Sequence, residues 1–120
     1  MKYMLLIYEH ATTRQTFLGE GGEALMAEVD AIMKELTDSG ELVGGEALAD
    51  PSNTRTIRIV DGAPAITDGP FAEAKEHLGG YLIVDCESVE RAAEIARRWP
   101  SARFTPLEVR PLMDTSGAEM

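Results

Sequence analysis

Two runs of strand length are apolar at nearly every position, and they constrain the fold more than any other feature of the chain. They are residues 3–8 and residues 81–84. A strand with one solvated face alternates apolar and polar side chains, whereas a continuous apolar run indicates cover on both faces. The fold must therefore supply two layers of cover for these strands.

The remaining pattern predicts two helices and several further strands. Residues 23–39 carry apolar side chains at helical spacing, and a second helix follows the N-cap residue Ser88 and ends before Pro100. Strands are predicted at residues 41–48, 54–60, 63–67, 81–85 and 104–112, with a hairpin turn at Asp61-Gly62. Residues 9–22 are predicted to form a long loop, with a short helical piece left open. This order indicates an α+β sandwich of the ferredoxin-like βαββαβ kind, with an antiparallel sheet.

Two helices can cover only one face of such a sheet. Since the two apolar strands need cover on both faces, the second layer is predicted to come from another copy of the chain, which makes the protein a homodimer with sheets packed face to face. The alternative is that the apolar side chains line a ligand cavity within one chain. Residues 1–112 are predicted to form the domain, and residues 113–120 a flexible C-terminal tail.

Size and charge bound the class of protein. At 120 residues the chain is long enough for one domain, and its formal net charge of −10 argues against nucleic acid or an anionic membrane as a partner. Cys86 is the single cysteine, so no internal disulfide can form. The apolar start is too short to span a membrane and lacks a signal-peptide cleavage pattern, so the cytoplasm is the expected compartment.

The corner that begins Asp68-Gly69-Pro70-Phe71 holds the first candidate for a catalytic group. Asp68 is a candidate general base or proton shuttle, with Glu73 or Lys75 in support. The alternative is that Asp68 only stabilises its own turn, as aspartates commonly do.

Histidine offers the second catalytic candidate. His10 follows the first strand and would form an acid/base unit with Asp68 if the two meet, although a solvated loop histidine is the alternative. Glu73 and His77 would share a helical face if Pro70 opened a short helix. With only two histidines in the chain, no metal site is predicted.

Arg58 and Tyr81 are candidates for binding a substrate. Arg58 is predicted to face away from Ile57 and Ile59, and it would orient an anionic group or form a structural ion pair. Tyr81 would shape a pocket wall or pack in the core. No phosphate loop, dinucleotide glycine fingerprint or nucleophile-elbow serine is present in the sequence, so no cofactor is predicted.

The chain resembles the DGPF family within the YCII-related superfamily. The resemblance lies in residues 1–8, 42–48, 68–76, 78–81 and 108–112. It implies a dimeric α/β barrel built on a ferredoxin-like protomer, and a superfamily of small-molecule enzymes with a suggested His–Asp active centre, of which Asp68 carries over from the motif. Relatives associated with extracytoplasmic-function sigma factors imply a regulatory function as well.

Two functions follow as hypotheses. The first is a cofactor-free enzyme that performs acid/base chemistry on a small molecule at a pocket near Asp68. The second is a non-catalytic module for ligand binding or regulatory interaction, linked to sigma-factor regulation.

Overall fold

A computed structural model of the protein describes residues 1–71 and 75–114. The strands are β1 (Lys2–Glu9), β2 (Leu42–Ala47), β3 (Arg55–Val60), β4 (Ala63–Asp68), β5 (His77–Asp85) and β6 (Leu107–Pro111). The helices are α1 (Ala11–Leu18), α2 (Gly22–Ser39) and α3 (Val89–Arg98). Within these residues, no helix has the length and apolar character needed to cross a membrane.

Four of the strands form one antiparallel sheet in the order β2-β5-β1-β6. Counted along the chain within this sheet, the order is 4-1-3-2, which is the ferredoxin-like arrangement. The predicted fold class is therefore confirmed. Strands β3 and β4 form a separate hairpin, whose Ile57, Ile59 and Ile66 are exposed.

The core lies between one face of the sheet and helices α2 and α3. Its larger members are Tyr3, Leu5, Ile32, Leu36, Leu82, Val84, Ile95 and Trp99. Alternate residues of β1 and β5 point to the opposite face, where Met4, Leu6, Tyr81 and Ile83 are only half-buried. The two apolar strands are thus fully covered on one face by this chain and incompletely on the other.

Local signals placed most element boundaries correctly. Ser88 caps α3 by accepting a hydrogen bond from the backbone N–H of Arg91, and Asp61 and Gly62 have the positive φ angles of 50° and 80° that a tight hairpin turn needs. The prediction for residues 9–22 left a short helical piece open within the loop, and the structure has that piece as α1 at residues 11–18. Strand β6 begins at Leu107 rather than at residue 104, since a short 3₁₀ turn, Pro100–Arg103, precedes it.

A bidentate ion pair joins α3 to the residue preceding β2. Arg91 Nε donates to Glu41 Oε2 at 2.9 Å, and Arg91 Nη2 donates to Glu41 Oε1 at 2.8 Å. These hydrogen bonds lower the pKa of Glu41 from 4.5 to about 2. The pair therefore favours the folded state wherever Glu41 is ionised.

We expect Glu41→Gln to lower the free energy of unfolding by about 1–2 kcal/mol at neutral pH, as for a partly buried bidentate pair. The folded-state pKa lies below the unfolded-state value, so this contribution is complete above pH 4.5 and is lost as the pH falls toward 2. Urea unfolding of the two proteins should therefore converge in acid. Lys34→Gln, which removes an exposed ion pair with Asp38, should change stability by less than about 0.5 kcal/mol. If the wild type and Glu41→Gln still differed as much in their free energy of unfolding at pH 2, the stability could not be assigned to the ionised Glu41.

Candidate functional site

A cavity of about 370 Å³ lies between the sheet and helices α1 and α2. Its walls are largely apolar and include Ile7, Phe17, Met26, Val29, Met33 and Trp99. Helix α1 supplies Thr13, Arg14 and Phe17 to this wall. A mainly apolar pocket with a few polar groups is typical of a small-molecule site.

Polar side chains converge on Glu9, at one end of the cavity. Glu9 Oε1 lies 3.3 Å from His77 Nε2 and 3.5 Å from Arg14 Nη1. Arg14 Nε is in turn 3.7 Å from Asp50 Oδ1. The Glu9 side chain is 17% exposed and the His77 side chain 23% exposed, so both are mostly withdrawn from solvent.

The pairing of β1 with β5 creates this carboxylate–imidazole pair. Glu9 is directly opposite His77 in the register, after a shift between Ile7 and Tyr8. Gly79 leaves room for the carboxyl group, because a Cβ atom at that position would lie 2.6 Å from Glu9 Cδ. Glycine is therefore required for Glu9 to occupy this place.

His10 and Asp68 lie in separate parts of the structure. His10 is the N-cap of α1, and its Nδ1 accepts a hydrogen bond of 3.2 Å from the backbone N–H of Thr13. Asp68 ends β4, where it forms an ion pair with Arg55 on the opposing strand and its side chain is 84% exposed. In residues 1–71 and 75–114 neither a hydrogen bond nor an ion pair joins His10 to Asp68, so the described contacts do not form the hypothesised pair.

The corner after Asp68 closes the β3–β4 hairpin. Gly69 has a positive φ of 89°, and its N–H donates to Thr54 O at 2.7 Å. Its carbonyl accepts a hydrogen bond from the hydroxyl of Thr56 at 2.8 Å. The guanidinium of Arg58 lies 4.5 Å from the centroid of the Phe71 ring, a distance typical of a cation–π contact. Each of these contacts fixes the corner to the hairpin.

The other predicted binding residues are dispersed. Lys75 is exposed, Tyr81 borders the cavity from β5 while its side chain alternates to the sheet face away from the core, and Glu73 lies outside the described residues. The tail predicted for residues 113–120 also lies outside them from residue 115 onward. No cluster of three or more potential metal ligands occurs in the part of the chain that the structure describes.

Sequence reasoning did not assemble Glu9, Arg14 and His77 into one group. Glu9 and His77 are 68 positions apart, and His77 was considered only as a partner for Glu73. Two signals could have linked them: an acidic residue at the end of a buried strand, and a Gly-Gly pair near the start of another strand. Together they indicate a side chain that packs against exposed backbone.

Comparison with known proteins gives one family match, a relative by sequence and a solved structure with a similar fold. A model for the YCII-related domain matches residues 1–116. A protein of Rhizobium meliloti (strain 1021), described as uncharacterized, is 32% identical over 114 residues, which cover 93% of this chain and 92% of the relative.

The solved structure of TftG, the 5-chloro-2-hydroxyhydroquinone dehydrochlorinase of Burkholderia phenoliruptrix, in complex with 2,5-dihydroxybenzoquinone, is similar to this chain with a TM-score of 0.55. The alignment covers 99% of this chain and 100% of TftG at 12% identity. At this level of identity the similarity concerns the fold alone.

Proposed function

This chain belongs to the YCII-related family, and from that membership we propose that it is a small-molecule enzyme that performs acid/base chemistry without a cofactor. The observation that carries the proposal is Glu9, which lines a mainly apolar cavity and whose carboxyl group contacts His77. A carboxylate shielded from solvent and held beside an imidazole is suited to moving a proton.

Glu9 is assigned as the general base. Among the described residues, the hydrogen bonds to its carboxyl group all involve Oε1, which leaves Oε2 to accept a proton from the substrate. The electron pair of the broken bond stays on the substrate, and Glu9 returns the proton at the end of the reaction. His77 and Arg14 act as positioning residues that hold the carboxylate.

With Glu9 as the general base, the proposed catalytic centre lies in the cavity rather than at the corner that begins with Asp68. The catalytic roles of Asp68 and His10 remain predictions. The described contact of Asp68 is its exposed ion pair, and that of His10 is its hydrogen bond as a helix cap. The fold neighbour TftG is an enzyme by name, which supports catalysis as a use of this fold and leaves the reaction of this chain to be measured.

The test is a thermal-shift screen against a metabolite panel, with two Val→Phe variants for comparison. Val29 lines the cavity, whereas Val43 is exposed and lies outside it. A ligand at about 100 times its dissociation constant adds about 2.7 kcal/mol of stability, a shift of several degrees. We expect ligands to stabilise the wild type and Val43→Phe but not Val29→Phe.

Two other outcomes of the screen would change the proposed site or the proposed function. A ligand that still stabilises Val29→Phe but no longer stabilises Asp68→Asn would return the site to the corner. A ligand that binds in the cavity and is never converted would favour the alternative function, a ligand-binding or regulatory module linked to a sigma factor.

We further propose that the chain is a homodimer. Met4, Leu6, Tyr81 and Ile83 form a half-buried apolar surface on the sheet face away from the core, and a second copy would bury it. Leu6→Glu should convert a dimer to a monomer in sedimentation velocity, whereas Leu18→Glu on the exposed side of α1 should not. A wild-type protein that sediments as a monomer would overturn this assembly.

Two finer assignments stay proposals. Membership of the DGPF subgroup is supported by the sequence Asp68-Gly69-Pro70-Phe71. A cytoplasmic location rests on the single cysteine, which fits a reducing compartment.

A further inference from the structure

The β3–β4 hairpin exposes a contiguous apolar face. In the hairpin register Ile57 lies opposite Ile66, and Ile59 lies opposite Pro64. Directly opposed residues of an antiparallel pair share a face, so these four side chains form one surface, called here the isoleucine face. Its three isoleucines are 62%, 64% and 69% exposed. An exposed cluster of this kind, unlike scattered single residues, marks a surface for interaction.

The hairpin also needs a surface to pack against. Strands β3 and β4 form a two-stranded sheet of their own, separate from the four-stranded sheet. A lone two-stranded ribbon is only marginally stable in water, and packing against a further layer stabilises it. The hydrogen bonds that join Gly69 to Thr54 and Thr56 hold its open end. A surface that covered the isoleucine face would therefore stabilise the hairpin along its length.

The four-stranded sheet offers a surface of matching character and size. Its face away from the core carries the half-buried apolar side chains Met4, Leu6, Tyr81 and Ile83. Each hairpin strand has six residues, which span about 20 Å at about 3.3 Å per residue. Four strands spaced about 4.8 Å apart extend about 14 Å from the first strand axis to the last. The ribbon is therefore long enough to cross the whole sheet.

Charge favours the same two surfaces as the place where two copies meet. The chain has a formal net charge of −10, so most of its surface repels another copy. The hairpin from residue 55 to residue 68 carries two arginines and two aspartates, which cancel. On the sheet, Met4 lies opposite Arg110 and Leu6 lies opposite Glu108, so these flanking charges cancel as well. Two acidic chains can approach through these surfaces with little local repulsion.

We propose that the β3–β4 hairpin is an arm that packs its isoleucine face on the apolar sheet face of a second copy, whose own hairpin packs in return on the first. Within one chain the isoleucines stay exposed, so another chain must bring the two surfaces together. A two-fold dimer makes each such contact twice. The inference rests on the proposed homodimer and names the element that forms its interface. The second layer over β1 and β5 is then a ribbon rather than the partner's four-stranded sheet.

Two neighbouring substitutions in β3 test which face of the hairpin makes the contact. Ile59 and Val60 are 69% and 53% exposed and point to opposite faces. Sedimentation velocity over a concentration series should show that Ile59→Lys raises the dissociation constant of the dimer at least about 30-fold, as for an interface hot spot. Val60→Lys should change it by less than about 3-fold. Both side chains are exposed in the single chain, so the circular dichroism of both variants should remain that of the wild type.

A charge swap tests what the hairpin packs against. Ile83 lies opposite Met4 and Gly44, neither of which is charged. Ile83→Glu should therefore weaken the dimer by placing a carboxylate at the contact. An equimolar mixture of Ile59→Lys and Ile83→Glu should form a heterodimer more tightly than either variant forms a homodimer. In that heterodimer the lysine arm meets the glutamate sheet, and the other contact is that of the wild type.

The remaining outcomes separate this inference from the proposals on which it rests. Dimerisation of Ile59→Lys as tight as that of the wild type would overturn the arm contact and leave the homodimer standing. Two folded variants whose mixture stays monomeric would overturn docking of the arm on the sheet. A monomeric wild type would overturn both the arm contact and the homodimer, whereas the proposed enzyme is decided by the cavity variants Val29→Phe and Val43→Phe.

Discussion

Glu9→Gln is expected to reduce turnover by about 10²- to 10⁴-fold, the usual contribution of a general base. The amide keeps the shape of the carboxyl group, and its oxygen can still accept a hydrogen bond from Arg14 or His77. It cannot take a proton from a substrate at neutral pH. The dissociation constant of a ligand found in the screen should therefore change little, while kcat falls. Steady-state kinetics and a binding titration on the same preparation separate the two quantities.

Asp68→Asn is the matched control, because it makes the same carboxylate-to-amide change at the exposed corner. It should retain turnover close to that of the wild type. Full activity in Glu9→Gln together with a large loss in Asp68→Asn would assign the base to Asp68 instead. Gly79→Ala adds a positional test, since its methyl group would displace the Glu9 carboxyl group without removing it, and it should lower kcat as well.

Leu36→Ala is expected to lower the free energy of unfolding by about 2–5 kcal/mol, as for other fully buried leucines. Leu36 is 0% exposed and lies on α2 within the core cluster. Its truncation removes apolar burial and leaves a void that the packed neighbours cannot fill completely. Urea unfolding should show a lower midpoint with an unchanged slope.

Leu18→Ala provides the comparison, because Leu18 is also helical but 75% exposed. It should change stability by less than about 0.5 kcal/mol. Equal losses in the two variants would show that Leu36 is not a core residue in solution.

Much of the fold was predictable because its signals are local. The apolar stripe that includes Val29, Ile32 and Leu36 predicted α2, since these positions recur with the helical period. Ser88 marked the start of α3, and Asp61-Gly62 marked the hairpin turn, because each residue type satisfies a nearby backbone requirement. The bounds of helix α1 were not predictable, because its sequence, from Ala11 to Leu18, has almost no amphipathic pattern and its N-cap is a histidine.

The candidate site was less predictable, because the same residue types serve several purposes. His10 and Asp68 had the chemistry of an acid/base pair, yet one caps a helix and the other pairs with Arg55 across a hairpin. The sequence around each residue is compatible with the catalytic role and with the structural one. Choosing between them requires knowing which groups lie nearby in space.

By itself the sequence determined most of the elements, their order and the α+β class, because helix period, strand alternation and turn chemistry act over a few residues. Only the tertiary structure brings the candidate site together. The pairing of β1 with β5 brings Glu9 against His77 across 68 positions, and the packing of α1 and α2 over the sheet encloses the cavity. Such contacts depend on the register of strands distant in the chain, and a register is fixed by the burial of whole faces rather than by the residues that it happens to bring together.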